Sequence, residues 1–476
     1  MPPSHVPESA ENIMDYGATE GDDSQSAVND NVSAIDSASE NSDDSLVYLP
    51  EGIYYIGPND NLDRARYMRP GHSSNTGAAG LSFVGDGAEK SYLKVSGQTI
   101  DEDDGHLYRI HYDNDADHGV VTFKYLTFDG NRKDVLPNDA KGEDTRLYGF
   151  HFDGDYVGFE FERARFQHTH EAMFNFGSGY YIEADYCTFH DAAIGRHNQA
   201  HADGDVRTDH MFSNIWLGDG DYVHFHNCYF SLVSGNMINQ DAFNFDNEII
   251  IEDCWIEGAG ASVCKDSGTK NVELTRVYIK LQTQELLDEI DDDALDNDFT
   301  GRYFYRFPDG EGTVNLRLED CHFESSNGRA IVFDDIADGE PDEFRIYGPG
   351  PVRIENIDGD RGAAVIVEQD DHPIVFDDLD ELSIHNSDQP MFSTPNGEGS
   401  IGNFRHDNAN SIGDRGSISF DREDDGGDPF DPDVPSRIEV GHDGDIPDTV
   451  RTRVESIDGI RQTTQAVVQM TVTEDE

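Results

Sequence analysis

The stretch Ile249-Ile250-Ile251-Glu252-Asp253-Cys254-Trp255-Ile256 decides the fold. Apolar residues stand at its first, third, sixth and eighth positions. Each half has period two, so each half is a short strand with one face inward, and Glu252-Asp253 is a two-residue corner between them. The same spacing recurs at Val121-Phe123-Leu126-Phe128, Phe159-Phe161-Ala164-Phe166, Ile182-Ala184-Cys187-Phe189, Val223-Phe225-Cys228-Phe230, Val272-Leu274-Val277-Ile279 and Leu316-Leu318-Cys321-Phe323. The third apolar position falls at 126, 164, 187, 228, 254, 277 and 321, in steps of 38, 23, 41, 26, 23 and 44. Three steps match one coil of a solenoid and the other three are about twice that.

Another strand precedes the pair and opens the coil, as at Phe150-His151-Phe152, Phe174-Asn175-Phe176, Ile215-Trp216-Leu217, Phe243-Asn244-Phe245, Ile331-Val332-Phe333 and Ile366-Val367. Three short strands per coil, with like side chains stacked on like, predict an all-β chain folded as a right-handed parallel β-helix. The predicted division is an N-terminal cap and first turn over 1–57, the β-helix over 58–400, and a linker with a small C-terminal β region over 401–476. Cys187, Cys228, Cys254 and Cys321 share one inward position of the repeat. They read as small buried hydrophobes rather than as disulfides or metal ligands.

Acidic residues number 98 against 33 basic ones, for a net charge of −65. The charge runs along the whole chain, which nevertheless keeps enough periodic apolar residues for a core. Such a surface repels itself at ordinary ionic strength, whereas in molar salt the Debye length shrinks to about 3 Å. The expectation is a protein that requires high salt, from a halophile or its virus. Nucleic acid and anionic membranes are excluded as partners, and no apolar stretch is long enough to span a bilayer.

The N-terminal part carries Asp15-Tyr16-Gly17-Ala18, then Gly21-Asp22-Asp23-Ser24, a helix-like run over 27–38, and Val47-Tyr48-Leu49-Pro50-Glu51-Gly52-Ile53-Tyr54. This order resembles the cap and first turn of the pectate-lyase-like superfamily, and Val84-Gly85-Asp86-Gly87 resembles an early Gly-x-Gly turn of the same proteins. The resemblance implies a carbohydrate ligand, since members are mostly polysaccharide lyases, hydrolases and epimerases, and many are viral tail spikes. Spikes of this kind are commonly trimers, so a homo-oligomer is implied. No secretory signal precedes the cap, which favours export by lysis as part of a virion, with virion proteins as further partners, over a secreted enzyme whose signal has been trimmed. Residues 421–435 are rich in Asp, Gly and Pro and read as a linker with oxygen ligands suited to Ca2+.

The long insertions, 129–148, 190–214, 231–242 and 281–307, follow the third strand of their coils and so share one corner. Loops on a rigid scaffold are where function is usually grafted. The richest, 190–214, holds Arg196, His197, His201, Asp203, Asp205 and Arg207, with Asp241 from the next insertion; these are the candidate catalytic residues. Candidate substrate contacts are His168, His170, Glu171, His190, Asp191, Trp216, Tyr222 and Asn239. Paired carboxylates such as Asp203 or Asp205 with Asp241 suit glycoside hydrolysis. His197 or His201 with Arg196 or Arg207 suits proton removal beside a uronate carboxylate. Polar and aromatic side chains without either set suit binding alone. His197 and His201 lack an obvious third ligand, so no metal centre is assigned. His224 and His226 read as outward-facing strand residues. The reading that follows is a virion-borne, receptor-binding or tail-spike-like protein of a halophile's surface glycan; the alternatives are an extracellular polysaccharide lyase or glycoside hydrolase, and a purely structural virion or surface protein.

Overall fold

The computed structural model describes residues 2–42, 45–57, 67–68, 81–96, 109–112, 118–131, 150–169, 173–192, 213–233, 236–240, 248–259, 262–266, 271–280, 302–306, 312–325, 331–333, 341–356, 365–367, 373–386, 390–406 and 412–424. Their strands pair in parallel with the next coil, and the fold is a right-handed parallel β-helix. The coils belong to two compact units, one of Met1–Val223, Ser231–Asn239 and Leu287–Asp298, the other of His224–Phe230, Gln240–Leu286 and Phe299–Glu476.

In the first unit the helix Gln25–Asn41 forms the cap. Ser24 starts it by accepting a hydrogen bond from the Ala27 amide at 3.3 Å, which satisfies one of the unpaired donors at a helix start. Val28, Val32 and Ile35 are buried on its inner face. Asn31 is buried among them and is fully used: its Oδ1 accepts from the Thr19 amide at 2.6 Å and its Nδ2 donates to the Tyr55 carbonyl at 2.9 Å. The cap is thereby bonded to the strand Gly52–Ile56 as well as packed. Gly85 of the Val84–Gly87 turn allows a close approach, because a Cβ there would lie 2.3 Å from the Tyr125 carbonyl oxygen.

Register follows the apolar repeat. Val121, Phe159 and Ile182 stack in adjacent coils of the first unit, and Ile249, Val272 and Leu316 in the second. Phe83, Phe123 and Phe161 continue the ladder with centroids 5.6 Å apart at each step. Each such side chain, fully buried, contributes roughly 1.5–3 kcal/mol. The pairing also corrects the coil count. Phe128 lies beside Phe166 and Ile279 beside Phe323. The 38- and 44-residue steps are therefore single coils with long insertions, not double coils. The parallel ladder continues through Ser419–Asp424, beyond the boundary expected at 400. Most of the 421–435 linker and the tail after it lie outside the described residues, as does Phe243–Phe245.

The corner of the repeat has one conformation in all seven copies. Its second residue, Tyr125, Arg163, Tyr186, Asn227, Asp253, Arg276 or Asp320, has φ between 48 and 58°. This left-handed conformation is costly for most residues. It persists because the amide there donates onward to the next coil, as Arg163 does to Asp185 at 2.9 Å and Asp253 to Thr275 at 2.9 Å. The cysteines follow directly. Each thiol donates to the carbonyl two residues earlier: Cys187 to Asp185 at 3.4 Å, Cys228 to His226 at 3.2 Å, Cys254 to Glu252 at 3.1 Å and Cys321 to Glu319 at 3.3 Å. All four are free and buried. Burial pushes the Cys321 thiol up to about 12, which suits a core position and not a nucleophile.

Candidate functional site

The residue after the fourth apolar position points away from the core at the mouth of the insertion corner. In the first unit this column is Lys94, Asp129, Gln167 and His190, paired rung by rung. Asp129 is its centre. Oδ1 accepts from the Asn131 amide at 2.8 Å and lies 3.0 Å from His168 Nδ1. Oδ2 accepts from Gln167 Nε2 at 3.2 Å and has Lys94 Nζ at 3.9 Å. Asp129 is buried. Burial alone would raise its pKa, but the hydrogen bond and charge of His168, the Asn131 amide and Lys94 outweigh that and hold it below the usual Asp value.

His168 and Asp191 both take φ above 50° at this corner, so each kinks its strand before pairing resumes at Thr169 and Ala192. Gly130 allows the turn to pack, since a Cβ there would sit 2.7 Å from the His168 carbonyl oxygen. The His168 and His190 rings meet edge to face with centroids 5.8 Å apart. His190 Nδ1 shares a 2.7 Å hydrogen bond with the buried Ser231 hydroxyl. Two oriented imidazoles thus stand side by side, one fixed by a carboxylate and one by a hydroxyl, with the His168 side chain 36% exposed. The arrangement can accept and donate hydrogen bonds to a polar ligand.

Of the residues expected here, His168 and His190 come together and Asp191 is buried in the turn beside them. Tyr222 lies elsewhere, on the second strand, stacked on Tyr181. Trp216 and Asn239 lie in the strands Ser213–His226 and Asn236–Gln240. His170, Glu171, Arg196, His197, His201, Asp203, Asp205, Arg207 and Asp241 lie outside the described residues. Asp129, Gln167, Lys94 and Ser231 were not anticipated. Three of them were findable, because 129, 167 and 231 all stand one residue past the fourth apolar position.

The same column in the second unit reads Glu257, Lys280, Glu324 and Glu355. The outward position two residues earlier is Trp255, Tyr278, His322 and Arg353 in the same coils. Tyr229 donates to Glu257 at 2.5 Å and Tyr278 to Glu324 at 2.6 Å, while Lys280 pairs with Glu324. Trp255 and Tyr278 rings lie 4.3 Å apart. His322 Nε2 is 3.5 Å from Glu355. Burial opposes ionisation of Glu355, but His322, His385 and Lys280 together hold it below the usual Glu value. Tyr229, Trp255, Glu257, Tyr278, His322 and Glu324 are all buried.

At the second unit's strand corner, His226, Glu252 and Asp253 bring ligand-type atoms within 4.8 Å of one another. His224 and His226 face outward from their strand, as expected, and each meets an acid there. His224 Nε2 is 3.7 Å from Glu252 and His226 Nε2 is 3.6 Å from Asp253. Arg276 already holds both acids, with Nε and Nη2 on Asp253 at 2.6 and 2.7 Å and Nη2 also on Glu252. A guanidinium forked onto a carboxylate supplies the positive charge that a metal would bring.

No family model matches the chain, and a search of curated proteins finds no match. Among solved structures, the surface adhesin PfbA of Streptococcus pneumoniae is similar over 86% of this chain and 99% of its own, at 12% identity and a TM-score of 0.46. The catalytic unit of a GH87 alpha-1,3-glucanase from Streptomyces thermodiastaticus is similar over 89% of this chain and 69% of its own, at 14% identity and a TM-score of 0.37. The A-module of the mannuronan C-5 epimerase AlgE4 of Azotobacter vinelandii is similar over 87% and 96%, at 12% identity and a TM-score of 0.35. No helix among the described residues is long and apolar enough to cross a membrane.

Proposed function

We propose that this protein engages a surface glycan at the corner after the third strand, in a receptor-binding or tail-spike-like role. The observation that carries the reading is the pair of contacts Asp129–His168 and His190–Ser231. They fix hydrogen-bonding groups on a rigid sheet at the foot of the insertions, which is how a sugar site is specified. The net charge of −65 fits an extracellular life in molar salt, on a virion or cell surface of a halophile. A homotrimer is the assembly this role favours, and sedimentation in molar salt measures it. Loss of binding on chelation would identify a Ca2+ requirement of the Asp-rich loops.

A lyase is the second reading, favoured by His168 because its 3.0 Å contact to Asp129 orients it as a base. Hydrolysis is less well supported. Its general acid needs a raised pKa, whereas Asp129 is held low and stays ionised. The test is titration with halophile surface polysaccharides in molar salt. His168→Ala should weaken binding about tenfold, a loss of one good charged hydrogen bond. Unchanged affinity would remove this corner as the site. Ultraviolet absorbance from an unsaturated uronate, abolished in His168→Ala, would move the assignment to the lyase.

A further inference from the structure

The second strand of the first unit carries an outward strip unlike the corner. Val120 and Gly158 are paired in register, and Tyr181 stands over Gly158 in the next coil. The Tyr181 and Tyr222 rings stack with centroids 5.7 Å apart and planes 13° from parallel. Both rings are half-buried and half-exposed. The strip exists because residue 158 has no side chain. A Cβ there would lie 2.6 Å from Tyr181 Cδ1, so the ring could not lean over that rung.

Two residues further along the strand, Glu160 and Glu183 pair in register beside the rings. Burial and the neighbouring Glu183 and Glu160 carboxylates push the Tyr181 phenol up. Glu160 is 40% exposed and is held by Lys124 at 3.3 Å. An apolar aromatic surface next to paired carboxylates matches the two sides of a pyranose, whose C–H face packs on a ring while its hydroxyls donate to carboxylates. It does not match an anionic sugar, because a ligand carboxylate would face Glu160 and Glu183. A stack of tyrosines that only braces neighbouring coils would make no such distinction among sugars.

We propose that the strip formed by Gly158, Tyr181 and Tyr222 with Glu160 and Glu183 is a binding surface for a neutral hexose polysaccharide and excludes polyuronates. This rests on the glycan reading above and names its ligand class. It also departs from the acidic substrates implied by a pectate-lyase-like resemblance.

The experiment compares a neutral glucan and a polyuronate by titration in molar KCl, with thermal unfolding of every variant. The intact protein should bind the glucan and not the polyuronate. Tyr181→Ala and Tyr222→Ala should each weaken glucan binding by about three- to tenfold. Gly158→Ala should weaken it too, with both rings retained. The double substitution Glu160→Gln with Glu183→Gln should admit the polyuronate. Glucan binding unchanged in the tyrosine variants would overturn the assignment of the strip, and lowered melting with intact binding would reduce it to a structural stack. Binding of the polyuronate alone would overturn this inference and leave the glycan reading standing. Binding of neither would remove both.

Discussion

The two units carry the same repeat, and their outward columns differ. At the end of the third strand the first unit offers Asp129, Gln167 and His190, with the His168 ring partly in solvent. The second offers Glu257, Lys280 and Glu324, shut in by Tyr229, Trp255 and Tyr278. One column is a set of fixed polar groups with an open edge. The other is a buried polar layer in which phenols satisfy the carboxylates, as buried acids require. The inward positions of the repeat build the solenoid in both. The outward positions are free to become either a surface for a ligand or a second interior.

The largest expected contrast is in stability. Tyr278 is fully buried and bonded to Glu324, so Tyr278→Ala should cost about 3–5 kcal/mol. His168→Ala, at a half-buried position, should cost only about 1 kcal/mol, the loss of one hydrogen bond to Asp129. Urea unfolding at fixed molar salt measures both, and similar costs would erase the distinction between the columns.

Acid titration probes a smaller difference. Asp129 and Glu355 both have folded pKa values below their unfolded ones, 3.8 and 4.5 for the unperturbed groups. Their stabilisation is therefore complete above those values and is lost as pH falls through the lower folded ones. Asp129→Asn and Glu355→Gln should each lower stability at neutral pH and flatten the decline on the acid side. His168 is 36% exposed and His322 only 9%. Added salt should accordingly shrink the Asp129 effect more than the Glu355 effect. Equal salt responses would mean that the two environments are alike.

The smallest effect is kinetic. Cys187 belongs to the first unit and Cys228, Cys254 and Cys321 to the second. None should react with an alkylating reagent at pH 8 while folded, since a buried thiol is not reachable. In graded urea, mass spectrometry should show Cys187 labelled separately from the other three if the units open independently. Simultaneous labelling would show one cooperative transition.

What the sequence made legible follows the same inward and outward division. Period two identifies which residues face the core, so the strand register and the cysteine ladder were readable, while the cap helix was readable through its resemblance to a known cap. The length of a coil was not. Steps of 38 and 44 residues look like two turns until pairing of Phe128 with Phe166 and of Ile279 with Phe323 shows one. Asp129 was passed over because one outward acid among 98 acidic residues carries no signal of its own. It became visible only through Lys94, Gln167 and His168, which neighbouring coils bring to it. His224 and His226 show the same limit. Their period gave direction, and direction alone does not reveal Glu252, Asp253 and Arg276 waiting on the adjacent rungs.

The left-handed corner makes each coil a self-contained module. The amides of Tyr125, Arg163, Asn227, Asp253, Arg276 and Asp320 all bond to the following coil, and no glycine is needed at any of the seven copies. A duplicated or deleted coil would meet the same corner on either side. Genes for such a protein can therefore lengthen or shorten its reach in increments of about 4.8 Å, one strand spacing at a time, without redesigning either neighbour. A protein that must match a surface layer of changing thickness would gain a ruler from that property.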